Sequence, residues 1–396
     1  MGLNDTPSAN RVHIGFFGKR NAGKSSVVNA ITNQELSVVS EFLGTTTDPV
    51  YKSMELLPIG PVMIIDTAGI DDEGELGALR IKKTRQVLNK TDVAVLVVDS
   101  EKGIENYELE LIEEFKKKEI SYIVVYNKSD LAEVNIKSEN EIAISCKNKS
   151  NINELKELIA KIAAPKENKK RILADLINKN DFVVLVTPID ESAPKGRLIL
   201  PQQQTIRDIL DSSAISIVCK ETELEETLKN IGKKPSLVVC DSQVFSEVSK
   251  IVPDEIPLTS FSILFARFKG DLKTVAESAK EIENIESGDT ILISEGCTHH
   301  RQCNDIGTVK LPKMIKEYTN KDINFEFTLG LDFVEDFSKY KLIVHCGGCM
   351  LNEREMKNRI NTAMERKVPI TNYGILIAYI KGILKRSVDV FRDINI

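Results

Sequence analysis

The sequence predicts an α/β protein built from three domains, and three observations predict it. Short apolar runs rich in Val and Ile alternate with helical segments along the whole chain, the pattern of parallel sheets flanked by helices. The length, 396 residues, is more than one hydrophobic core usually supports. Two breaks then divide the alternation: a charged stretch after a proline, Pro165 to Arg171, and the pair Gly270–Asp271. The expected domains are residues 1–167, 172–269 and 272–396.

Composition bounds the function. The chain is 42% apolar and 28% charged, as folded globular proteins are. A net charge of −6 disfavours bulk nucleic-acid binding. The first residues lack the apolar core of a signal peptide, and seven cysteines, an odd number, fit a reducing cytoplasm. No apolar run reaches membrane-spanning length; Ile375 to Leu384 is broken by Lys381 and Gly382 and reads as a buried helix. A cytoplasmic protein without membrane or nucleic-acid partners is expected.

The first domain opens with an apolar strand at residues 12–17. Gly18-Lys-Arg-Asn-Ala-Gly-Lys-Ser25 follows at once, then a helix from Ser26 to Ile31. This is G-x-x-x-x-G-K-S in the strand–loop–helix setting it requires. Gly18 and Gly23 let the loop, through Ser26, turn its N–H groups around a phosphate. Lys24 reaches the β- and γ-phosphates, and the Ser25 hydroxyl binds Mg²⁺. Further parts come in order. Gly44-Thr-Thr46-Thr-Asp48 is a polar loop whose Thr46 completes the Mg²⁺ shell. Val62-Met-Ile-Ile-Asp66-Thr-Ala-Gly69 is a buried strand; Asp66 holds Mg²⁺ through water, and the Gly69 N–H faces the γ-phosphate. Val93 to Asp99 is another strand, and Ser121 to Asp130 the next, ending in Asn127-Lys128-Ser-Asp130. The Asp130 carboxylate accepts two bonds from guanine that adenine cannot donate. Ile142-Ala-Ile-Ser145-Cys146-Lys147 turns its loop N–H groups toward the base oxygen.

These motifs resemble the small GTPase domains of the bacterial Era and TrmE branch, over residues 12–165. The resemblance carries roles to Asn21, Lys24, Ser25, Thr46, Asp66, Gly69, Asn127, Lys128, Asp130 and Ser145. It departs at Ile70, where many GTPases place a water-orienting Gln. The branch often supplies the missing charge with K⁺ and uses an Asn at the position of Asn21. Slow, potassium-stimulated hydrolysis is the implied activity, with Arg20 a weaker source of charge.

The middle domain reads as strands at Phe182 to Pro188, Ser216 to Cys219, Ser236 to Asp241 and Pro257 to Phe265, with helices between. Cys219 and Cys240 sit in apolar strands as core residues. Nothing here carries chemistry, which points to assembly by pairing of copies, a homodimer or higher.

The last domain carries two soft-ligand clusters. Cys297-Thr-His299 follows the apolar run Thr290 to Ser294; His345-Cys346-Gly-Gly-Cys349 follows Lys341 to Val344. The gap from His299 to His345 is 345 − 299 − 1 = 45 residues. Ligands from two strands describe a metal site closed by folding, at the carboxyl ends of neighbouring parallel strands. A lone Cys-x-x-Cys can be a redox pair, but two clusters with five soft donors argue for metal. Spacing alone leaves zinc and iron–sulfur equal. Cys303 and His300 lie outside the pattern.

A GTPase domain followed by Cys-x-His and His-Cys-x-x-Cys is similar to one family, the [FeFe]-hydrogenase maturation GTPases called HydF, over the whole chain, including Leu200-Pro-Gln-Gln-Gln-Thr-Ile-Arg-Asp208. The resemblance implies a [4Fe–4S] cluster on Cys297, Cys346 and Cys349, with His299 and His345 as further possible ligands of the motif. It implies GTP, Mg²⁺ and K⁺ in the first domain. It also implies a scaffold that accepts a diiron precursor and delivers it to apo-[FeFe]-hydrogenase, working with radical-SAM maturation proteins. The rival reading is a ribosome- or tRNA-related GTPase with structural zinc.

Overall fold

The computed structural model describes residues 6–32, 48–69, 75–164, 170–189, 198–296, 305–330, 333–334 and 336–391. Two units are present, residues 1–169 and 170–396.

The first unit holds six strands: β1 (Val12–Phe17), β2 (Val50–Leu56), β3 (Gly60–Asp66), β4 (Val93–Asp99), β5 (Ser121–Asn127) and β6 (Glu141–Ala143), in spatial order β2-β3-β1-β4-β5-β6. All pairs are parallel except β2 with β3. The central strands are apolar throughout because both faces are covered. Ile14, Phe16, Val95 and Val97 pack on one face with Val27. Phe17, Ala94, Leu96 and Val98 pack on the other with Phe115. β2 was not anticipated. It is an edge strand whose alternate residues Tyr51 and Glu55 are not buried, so it carries no apolar run.

The second unit holds two four-stranded parallel sheets. β7 (Phe182–Val186), β8 (Ile215–Cys219), β9 (Leu237–Cys240) and β10 (Leu258–Ser260) lie in the order β10-β9-β7-β8. β11 (Thr290–Glu295), β12 (Asn324–Leu329), β13 (Tyr340–His345) and β14 (Ile370–Asn372) lie in the order β12-β11-β13-β14. One continuous apolar core runs through both sheets, from Ile172 to Phe391, with Cys219 and Cys240 in it. The helices Phe261–Lys269 and Tyr373–Ile380 pack together within it.

The expected strand from Pro257 to Phe265 is corrected. Only Leu258–Ser260 is extended, and a helix begins at Phe261. Ser260 ends the strand by capping that helix, its Oγ accepting from the Ile263 N–H at 3.3 Å. The run is apolar on both sides of Ser260, so periodicity alone did not separate strand from helix. A further helix begins at Leu272, capped by Asp271, and becomes a 3₁₀ turn over Ala279–Asn284. No helix among the described residues is long and apolar enough to cross a membrane.

Candidate functional site

The chain places two loops after central parallel strands, one in each unit. In the first, β1 delivers the phosphate loop into the helix Lys24–Thr32. Gly18 and Gly23 have φ of 139° and 90°, and Asn21 is left-handed at 61°, a region Asn tolerates better than most residues. A Cβ on Gly18 would stand 2.2 Å from the Val97 carbonyl oxygen, so only Gly fits. Lys24 is buried and donates to the Gly18 and Lys19 carbonyls at 3.0 and 2.8 Å, so its ammonium sits inside the loop's curl. Ser25 Oγ donates to Asp66 Oδ2 at 2.8 Å, which brings together the two groups expected around Mg²⁺. A Cβ on Gly69 would lie 2.7 Å from Arg20 Cα and 3.0 Å from Lys24 Nζ; its backbone therefore packs against the phosphate loop. Thr46 and Ile70 lie outside the described residues.

The base-recognition segment is braced against the same loop. Asn127 is buried; its Nδ2 donates to the Ala22 carbonyl at 3.0 Å, and its Oδ1 accepts from the Cys146 N–H at 3.4 Å. Lys128 is left-handed at φ 67° and donates to Asp99 Oδ2 at 2.5 Å. Ser145 donates to Asp130 Oδ1 at 2.6 Å and accepts from the Asn148 N–H at 3.1 Å. That bond from Ser145 holds the Asp130 carboxyl below its ordinary range, so it stays an ionised acceptor. Burial, with Asp130 adding to it, raises the Cys146 thiol to about 11 and keeps it protonated. Lys147 follows in the same loop.

In the second unit β11 and β13 are neighbours, with Ser294 opposite His345. The chain crosses the sheet between β12 and β13, so the crevice beyond the carboxyl ends of β11 and β13 is where open α/β sheets place ligands. The Cys346 N–H donates to the Ser294 carbonyl at 2.8 Å, and Cys346 Sγ accepts from the Gly296 N–H at 3.0 Å and more loosely from that of Gly348 at 3.5 Å. Gly348, at φ 61°, makes the turn to Cys349. Burial raises the Cys346 thiol to about 11 against the pull of those two N–H groups. Burial also raises the Cys349 thiol, against Lys269 and the N–H groups of Met350 and Cys349. Without a metal both sulfurs are therefore held as neutral thiols, and the N–H groups at Cys346 Sγ are the donors that would favour its thiolate. Cys297, His299, His300 and Cys303 lie outside the described residues.

His345 is 1% exposed, and both its ring nitrogens have protein partners. Nδ1 donates to the Cys346 carbonyl at 2.7 Å, and Nε2 accepts from Arg359 at 3.0 Å. Burial and the Arg359 charge push its pKa down to about 3, so the ring is neutral. In this arrangement the ring has no nitrogen left for a metal; it braces the backbone of Cys346 instead. Arg359, fully buried, also reaches Glu355 at 2.9 Å and the Gly330 carbonyl at 2.7 Å. Lys269, 3% exposed, bonds the Gly348, Cys349 and Leu351 carbonyls at 3.2, 2.9 and 2.8 Å. Neither residue was singled out from the sequence. Glu355 and Arg359 stand four apart on a polar helix, a spacing ordinary for surface pairs, and Lys269 carries no local signal at all.

The fold and these two loops define a class: a P-loop GTPase domain joined to two further parallel-sheet layers, the last with a half-buried paired-cysteine loop. Residues 13–128 match the 50S ribosome-binding GTPase family, residues 172–270 the hydrogen maturase F dimerization domain, and residues 273–390 the hydrogen maturase F tetramerization domain. The chain belongs to the hydrogen maturase F family. Among curated relatives it is similar to the tRNA modification GTPase MnmE of Endomicrobium trichonymphae, 32% identical over 45% of this chain and 41% of the relative. It is also similar to GTPase Der of Wolinella succinogenes, 33% identical over 45% of this chain and 40% of the relative. The chain thus spans about two fifths of the length of these relatives. Among solved structures it is similar to Aquifex aeolicus Era bound to GDP.AlF4−, with 19% identity, a TM-score of 0.35, and 56% of this chain and 98% of that chain covered.

Proposed function

We propose that this chain hydrolyses GTP and acts as a scaffold that carries metal to apo-[FeFe]-hydrogenase, working with radical-SAM maturation proteins. The observation that carries the reading is the half-buried Cys346–Cys349 loop at the crevice between β11 and β13, in a chain with both hydrogen maturase F domains. Cys346 and Cys349 would hold a [4Fe–4S] cluster together with Cys297. A cluster on three thiolates keeps one iron without a protein thiolate, and that exchangeable position is what docking a diiron precursor requires. Arg359 and His345 keep the Cys346 backbone in place. A homodimer or larger assembly in the cytoplasm is part of the same reading.

In the first domain, Lys24 compensates the phosphate charge, and Ser25 and Thr46 hold Mg²⁺ with Asp66 behind them. The Gly69 N–H follows the γ-phosphate. Asp130 reads guanine, with Asn127, Lys128, Ser145, Cys146 and Lys147 shaping the base site. Turnover is slow and K⁺-stimulated through Asn21. The test is metal and sulfide analysis of anaerobically purified protein, followed by incubation of the precursor-loaded chain with apo-hydrogenase. Iron with sulfide and recovered hydrogenase activity are expected. Near-stoichiometric zinc without iron overturns the reading in favour of a GTPase with a structural zinc site.

A further inference from the structure

Lys269 ends the helix Phe261–Lys269, about eighty positions before the loop it touches. An ammonium has three donors and no acceptor. Here all three meet backbone carbonyls of one short segment, those of Gly348, Cys349 and Leu351. The group is buried, and burial pulls its pKa down to about 8 against the attraction of Cys349 and Cys346. A buried ammonium without full satisfaction is costly, so the loop is shaped around this charge.

The consequence lies on the other side of the same peptide groups. In a trans peptide the C=O and N–H point in opposite directions. The peptide joining Gly348 to Cys349 turns its carbonyl to Lys269 and carries the Cys349 N–H; the next carries the Met350 N–H. In the same turn the Gly348 N–H donates toward Cys346 Sγ at 3.5 Å, and the pull of the Met350 and Cys349 N–H groups on the Cys349 thiol has the same direction. Carbonyls drawn inward to a cation thus turn their N–H donors to the opposite side, and each peptide is polarised along its length. The Leu351 carbonyl, the third acceptor, leads directly into Asn352, which caps the helix Glu353–Glu365 that carries Arg359.

We propose that Lys269 is a positioning residue for the cysteine loop: it folds residues 348–351 around its ammonium, holds the N–H groups of that turn toward its cysteine sulfurs, and sets a positive charge behind the thiolates that would hold the metal. This rests on the cluster reading above. Hydrogen bonds to cluster sulfurs and nearby net charge are what set a cluster's reduction potential, so the residue from the middle domain tunes the metal of the last.

The experiment uses the full chain reconstituted anaerobically with ferrous iron and sulfide, as wild type, Lys269→Gln and Lys269→Arg. Iron retention against a chelator and the reduction potential by paramagnetic resonance are measured, with GTP hydrolysis as a control in the separate first unit. Lys269→Gln is expected to lose half its iron at about tenfold lower chelator, as supporting-group changes do, and its potential moves more negative. Lys269→Arg keeps the charge, so its potential stays near wild type. Its planar fork cannot aim three bonds at three converging carbonyls, so its iron retention falls between the two. A Gln variant matching wild type in both measurements overturns the proposal. If that variant is insoluble, an Arg variant retaining iron as tightly as wild type overturns it. Wild-type protein that takes up no iron sinks the cluster reading instead.

Discussion

The phosphate loop and the cysteine loop are built alike and supported differently. Each follows a central strand of a parallel sheet, β1 or β13, and each wraps backbone carbonyls around a buried lysine. In the phosphate loop the lysine is local: Lys24 bonds Gly18 and Lys19, six and five residues back. In the cysteine loop it comes from far away: Lys269 bonds carbonyls 79 to 82 positions on, and Arg359 reaches His345 from another helix. A loop that carries its own cation is a portable motif. A loop held by imported cations keeps its shape only inside its complete fold, through residues far from its cysteines in sequence.

The two loops should therefore fail independently, and this is the largest effect expected. Cys346→Ser or Cys349→Ser should abolish iron binding while GTP hydrolysis continues, because removing one thiolate of three leaves too few to hold a cluster. Lys24→Ala should abolish hydrolysis and leave iron content unchanged, because the charge that neutralises the phosphates is gone. Iron and hydrolysis assays on the same preparations check both. Loss of iron in the Lys24 variant would couple the loops and break the comparison.

A change in the imported support should reach beyond the loop. Arg359→Leu strands the buried Glu355 carboxylate and removes the partner of His345 Nε2. Breaking a buried pair by deleting one partner costs ~3–5 kcal/mol. The second unit should melt earlier by calorimetry while the first unit's transition stays in place. Changing Glu355 and Arg359 together to apolar residues should recover part of the loss. A single variant with unchanged melting would mean that Arg359 contributes nothing net.

How much of this was legible follows the same division. The strands β1, β3, β4 and β5 and the first loop stood out because their groups are contiguous and mostly backbone, so sequence order and spatial order agree. The two cysteine segments stood out as pairs of rare residues after apolar runs, and β11 and β13 are indeed neighbours. Lys269 and Arg359 did not, since the chain has 53 Lys and Arg and nothing local distinguishes a buried one. The helix at Phe261 was read as strand because its cap, Ser260, lies within one apolar run. What the sequence hid is long-range satisfaction of buried charge, which only the folded chain brings together.

Within the first unit, base recognition comes next in size. Asp130→Asn removes a charged acceptor that Ser145 already orients. GTP affinity should fall by about tenfold to a few hundredfold, the range for losing a bond to a charged group, with affinity read by titration calorimetry. Unchanged affinity would place guanine recognition elsewhere.

The smallest effect expected is that of the monovalent cation. Residue 70 is Ile, which cannot orient water or offset charge as a polar side chain would, and Asn21 stands at the exposed tip of the phosphate loop. Replacing K⁺ by Na⁺ at matched ionic strength should slow hydrolysis several-fold, about 1 kcal/mol in the barrier. The choice of variant matters, because Asn21 is left-handed at φ 61°. Alanine there would add backbone strain of about 1 kcal/mol, as large as the effect sought. Glycine takes that conformation freely. Asn21→Gly should therefore bind GTP about as well as wild type and hydrolyse it at one rate in both salts, which ties the cation to the side-chain oxygen. Equal wild-type rates in K⁺ and Na⁺ reject the cation. A salt difference that survives in Asn21→Gly keeps the cation but moves it to another oxygen of the site.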